Sequence, residues 1–223
     1  GDISETLWTG WGSPTTLPSI IRPKSGYLVN ANHSPLLVSG SEDNLKAENY
    51  PKDYGLDTLV TNRGLRAQEL FGADTSITRE EFFAYKMDDR YAAGSNVRKM
   101  QADFRNVDAG EDADLKAALA IVAAWDGRAD MENRNAALTI FTGQAAMGSQ
   151  IHGAYDRTKA LAALKQTAAL LKASLGRIDP KWSEVSRVAR GKQSWPTNGG
   201  PDTLRAVYVA GDLAKDKFRY GRA

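Results

Sequence analysis

Between Lys159 and Gly176 the chain reads KALAALKQTAALLKASLG, and Leu161, Leu164, Ala168, Leu171 and Leu175 fall on one stripe at helical spacing. Gly176 supplies a left-handed C-cap where the stripe ends. A helix with such a face must lie against other apolar surface, and the neighbouring sequence offers it. One helix opens at TREE, where Thr78 and Glu81 have capping-box spacing and Phe83, Met87 and Tyr91 recur along one face. A second covers Asp112 to Trp125, with Leu115, Leu119 and Val122 on its buried side and WDG as its stop. A third is read over RNAALTIFTGQAAM. After the long stripe, Asp179 is expected to cap a short helix with Pro180 at its first position, carrying Trp182 and Val185.

Residues 1–75 have another character. They are rich in Gly, Pro, Asn, Ser and Thr, with short extended candidates at Thr6–Trp11 and Tyr27–Ala31. Near the other end, WPTNGGPDTLRAVYV reads as a loop punctuated by Asn198-Gly199 that leads into a strand, Leu204–Val209. The expected class is therefore α+β and helix-rich. Residues 1–75 form a strand and loop segment, 76–193 a helical excursion and 194–223 a loop with a returning strand, all in one domain fragment.

Charge and composition exclude several functions. With 29 basic against 27 acidic residues spread along the chain there is no electrostatic footprint for nucleic acid. No apolar run has the roughly 18 to 20 residues of a membrane span. Cysteine is absent, which removes disulfides, thiolate metal sites and cysteine nucleophiles together. Serine elbows, phosphate-cradling loops and the HExxH pair are also missing. The two histidines, His33 and His152, have no second ligand at metal-site spacing. What is left is a binding module, or a piece of a larger catalytic protein.

Five segments in order bear on that choice: PKSGYLVNANHSP, NRGLRAQEL, REEFFAYKMDD, WDGRADMENRNAA and WSEVSRVARGKQSWPTNGGPDTLRAV. Together they resemble the β chain of the penicillin acylase family, N-terminal nucleophile hydrolases that include aculeacin-type and acyl-homoserine-lactone acylases. The resemblance spans roughly residues 8 to 210. It implies an αββα fold with a helical excursion, hydrolysis of a small N-acyl amide by the N-terminal serine of a self-cleaved precursor, and a periplasmic or secreted location. This chain begins with Gly1 and stops at KFRYGRA. The expectation is an internal β-chain fragment, inactive alone, whose partners are the remaining α and β segments of the precursor. A helical interaction module without catalysis is the alternative.

Site residues follow from the resemblance one by one. Asn32, in NANHSP, stands where the family's asparagine donates a side-chain N–H to the oxyanion, with His33 beside it as a candidate substrate contact. Read from its neighbours alone, Asn32 is an asparagine that satisfies turn backbone before Ser-Pro. Arg63 matches a family arginine near the active site; read from its neighbours alone it is a surface arginine beginning a helix, and Arg66 is close enough to compete for the assignment. Asp43, in SGSEDN, falls near a carboxylate that binds structural calcium in some members, whereas its own surroundings read as an exposed acidic loop. No other cofactor is required. Asp88 is expected to be a hydrogen-bonding or salt-bridge partner, and Trp125, Asp126 and Gly127 a helix terminus packed by an indole.

Overall fold

The computed structural model describes residues 12–207, with Ile3, Ser4, Leu7 and Gly10 before them. These residues hold seven α-helices: α1 Asn62–Leu70, α2 Arg79–Lys86, α3 Asn96–Phe104, α4 Ala113–Ala124, α5 Ala136–Met147, α6 Arg157–Leu175 and α7 Trp182–Val185. A two-stranded antiparallel hairpin follows, β1 Arg187–Arg190 with β2 Gln193–Pro196, in the register Arg187 opposite Pro196 and Arg190 opposite Gln193. The helix-rich α+β expectation holds in that form.

Helices α3 to α6 make the core, with α5 at its centre. Apolar on all sides, α5 buries Ala136 through Gly143 and then Met147, as a helix without a polar face must. Along α6 the expected stripe turns inward, Leu164 and Leu171 fully buried and Leu161, Ala168 and Leu175 packed beside them. Gly176, at φ 74°, closes that helix and donates its N–H to the Lys172 carbonyl. Helix α4 starts one residue after Asp112, whose side chain accepts the Leu115 N–H, and stops at Trp125. The indole is buried and its Nε1–H donates to the Arg128 carbonyl at 2.8 Å. As expected, that helix terminus is architecture.

Some local expectations are corrected. The capping box at Thr78 and Glu81 forms, yet α2 ends at Lys86 and buries none of its residues completely. Phe83 and Met87 are about half exposed. Tyr91 belongs to another segment, where its N–H pairs with the Gly127 carbonyl and its ring lies in the core. Spacing alone had joined these three across a helix end. Asp179 does not cap α7: both of its oxygens go to Arg177, at 2.8 Å each, and Lys181 takes the cap position.

The extended stretches also differ. Tyr27–Ala31 is irregular and belongs to no ladder among the described residues. Its polar groups find partners one by one: the Val29 N–H donates to the Val38 carbonyl, the Tyr27 carbonyl accepts from Ser39 Oγ, and the Ala31 N–H donates to His33 Nδ1. Leu204–Val207 is irregular too; Tyr208 and Val209, like most of Thr6–Trp11, lie outside the described residues. Helix α1 stands where Arg63 could be read as an arginine beginning a helix, whereas the β1–β2 hairpin was not expected. Thr61 starts the first by accepting the Gly64 N–H on its hydroxyl. Gly191, at φ 56°, opens the two-residue turn of the second.

Candidate active site

The start of α1 organises the site. Thr61 caps the helix, so the next two side chains leave its first turn in different directions, Asn62 into the interior and Arg63 toward the surface. Asn32 lies across from Arg63, exposed, with its backbone in the left-handed region at φ 54°. An asparagine tolerates that geometry. Asn30 holds it there, its Oδ1 accepting the Asn32 N–H at 2.9 Å. The turn reading of this segment is therefore real, but it belongs to Asn30. The Asn32 side chain is left for another use: its Oδ1 accepts Nη1–H of Arg63 at 3.3 Å. Guanidinium is purely a donor, so this contact fixes which end of the amide is the carbonyl. The Asn32 Nδ2 has no hydrogen-bond partner among the described residues, and the residue is exposed.

Beneath this pair is a residue that sequence reasoning did not single out. Asp202 is buried, at φ 59°, and its Oδ1 accepts Nε–H of Arg63 at 3.1 Å. Its Oδ2 accepts the Asn62 N–H at 2.6 Å, while the Asp202 carbonyl accepts from Asn62 Nδ2 at 2.8 Å. Asn62 completes itself by accepting the Ala92 N–H on Oδ1 at 2.7 Å. Burial raises the Asp202 carboxyl above its ordinary value, opposed by the Asn62 and Arg63 hydrogen bonds. The loop that carries Asp202 is held at several points. Trp182 Nε1–H donates to the Gly199 carbonyl and Tyr91 Oη–H to that of Pro201. Gly199 is at φ 94°, and a Cβ there would lie 2.0 Å from the Arg205 carbonyl oxygen, so only glycine fits.

The other candidates have different surroundings. His33 uses both ring nitrogens on backbone: Nδ1 accepts from Ala31 at 3.0 Å, and Nε2–H donates to the Leu37 carbonyl at 2.9 Å. Its ring also lies over Gly64, where a Cβ would come within 3.0 Å of it. The histidine thus braces the Asn32 turn against α1. Arg66 grips Asp88 through Nε and Nη2, at 3.0 and 2.8 Å. That makes Asp88 the salt-bridge partner expected of it, and leaves Arg63 alone at Asn32.

Asp43 closes a loop. Its two oxygens accept the Lys24 and Ser25 N–H groups at 3.0 and 2.8 Å, which hold its carboxyl below the usual value, the Ser25 bond most of all. Among the described residues no group of three or more His, Cys, Asp or Glu side chains converges on a metal position. Both Asp43 oxygens are thus engaged by backbone donors of its own loop.

An exposed amide locked by an arginine, itself seated on a buried carboxylate, suits stabilisation of negative charge on a carbonyl oxygen. The comparison with known families agrees with the order of segments that led to these residues. Penicillin amidase matches the chain over residues 1–223, and the chain belongs to that family.

Proposed function

We propose that this chain is the charge-stabilising part of an acylase that hydrolyses N-acyl amides, with Asn32 Nδ2–H as an oxyanion donor. Membership in the penicillin amidase family supports an acylase-type hydrolase acting on amides. The observation that carries the finer reading is the Arg63 to Asn32 contact, which engages the amide carbonyl and leaves its N–H without a partner among the described residues. In this reading the parent enzyme has the αββα fold of N-terminal nucleophile hydrolases, and the attacking serine is not placed on these residues.

The reaction then runs in two stages. The serine Oγ forms a bond to the acyl carbon, its proton passing through water to the serine α-amine, while the carbonyl π pair moves onto oxygen. Asn32 donates to that oxygen, and being neutral it needs no change of protonation state. Collapse restores the carbonyl and breaks the C–N bond, the departing amine taking the proton. Water then attacks the acyl ester by the same route and frees the acid and the serine.

Arg63 is the direct test of the orienting contact. In the enzyme that carries this chain, Arg63→Lys should lower kcat for a chromogenic N-acyl anilide about tenfold, since a lysine cannot reproduce the fork that reaches Asn32 and Asp202 together. Wild-type kcat in that variant would take Arg63 out of the site.

A further inference from the structure

We propose that Asp202 is a positioning residue for the reaction, its buried carboxylate holding the Arg63 guanidinium where Nη1 fixes the amide of Asn32. This rests on the oxyanion reading of Asn32.

A free arginine at the start of a helix samples many rotamers, and a loosely held amide donor contributes little. Here one edge of the guanidinium is tied down. Nε–H reaches Asp202 Oδ1 at 3.1 Å, and Nη1 extends from the same fork to Asn32 Oδ1 at 3.3 Å. The anchor itself cannot swing. Asn62 holds both the Asp202 side chain and its carbonyl, and is in turn fixed by the Ala92 N–H. An exposed catalytic donor is thereby connected, through one arginine, to a buried polar cluster.

Asp202 also departs from the ordinary pattern of acidic residues. It is a buried carboxylate, costly unless paired, carried on a left-handed backbone that aspartate tolerates better than most side chains. Departures of that kind concentrate where a particular geometry is needed for function. The charged or titratable groups that bear on its carboxylate are Arg63 from α1 and His152 from the segment after α5.

The test uses the enzyme that carries this chain and a chromogenic N-acyl anilide. Asp202→Asn should lower kcat about tenfold with KM within about twofold. In an Asn32→Ala background the same change should cost less than about twofold, because Asp202 works through Asn32. Asp202→Gly, at ease at φ 59°, is measured alongside so that poor folding of one variant does not end the experiment. Circular dichroism reports whether each is folded. The acid side of the kcat profile provides a further readout. Protonating Asp202 releases Arg63, so the wild type should lose kcat as pH falls through the raised carboxyl value, and Asp202→Asn should lack that component.

Equal losses in both backgrounds would make Asp202 a structural residue and overturn the proposal, as would wild-type kcat in folded Asp202 variants. If Asn32→Ala alone leaves kcat unchanged, the oxyanion reading fails and this role of Asp202 goes with it. A slow Asn32→Ala beside a folded Asp202→Asn with wild-type kcat defeats this role of Asp202 alone and leaves the oxyanion reading standing.

Discussion

Asn32→Ala in the enzyme that carries this chain should lower kcat by about 10²- to 10³-fold, with little change in KM, as expected when one oxyanion donor is removed. The size of the effect depends on preorganisation. Arg63 keeps the Asn32 carbonyl engaged, so Nδ2 does not have to turn or give up a protein partner as charge develops on the substrate oxygen. Backbone conformation complicates the alanine variant, because position 32 is at φ 54° and alanine is strained there. Asn32→Gly is the cleaner deletion. It accepts the left-handed geometry and removes the amide, donor and Arg63 contact together, without backbone strain, so its kcat should fall by the same factor while the Asn30 turn survives. Asn32→Asp gives the complementary measurement: it keeps the shape but directs a carboxylate oxygen at the developing oxyanion, and should be at least as slow. Wild-type kcat in the glycine variant would exclude Asn32 as a donor.

The helical core was largely legible in the sequence, since its signals are local. Leu164 and Leu171 are buried where a 3.6-residue period puts them, and Gly176 and Asp112 terminate their helices through backbone chemistry that residue type alone foreshadows. The same method failed for Phe83, Met87 and Tyr91. Their spacing is helical, but α2 ends before Met87, and Tyr91 is buried in the core against Trp125, a residue distant in sequence. Resemblance to a family brought Asn32 and Arg63 forward, and the structure brings them together. Asp202 could not be found that way from the residues alone. Within GGPDT it looks like any acidic turn residue, and only the fold carries it to Asn62 and Arg63, across 140 and 139 positions of chain. His33 shows the reverse: a histidine beside a candidate donor invites a chemical role, while its two nitrogens are taken up by the turn that supports Asn32.

The stability of the site should depend on a residue that reads simply as core. Trp182→Ala should destabilise the enzyme by about 3–5 kcal/mol, the range for deleting a buried aromatic ring, measured as a shift in the denaturant unfolding midpoint. The ring is 1% exposed and lies 5.6 Å, centroid to centroid, from Phe141 at the centre of α5. Its other edge serves the site, because Nε1–H donates to the Gly199 carbonyl at 2.8 Å and so anchors the loop that presents Asp202. Trp182→Phe separates these two contributions. Phenylalanine retains most of the apolar packing but leaves the buried Gly199 carbonyl without this donor, a loss of about 1–3 kcal/mol. If the loop transmits to Arg63 and Asn32 as its hydrogen bonds indicate, Trp182→Phe should also lower kcat at unchanged KM in enzyme that remains fully folded. A Trp182→Ala variant destabilised by less than about 1 kcal/mol would mean that the ring can be lost without opening a cavity. A folded Trp182→Phe variant with native kcat would show that Tyr91, through its bond to the Pro201 carbonyl, is sufficient to hold the loop.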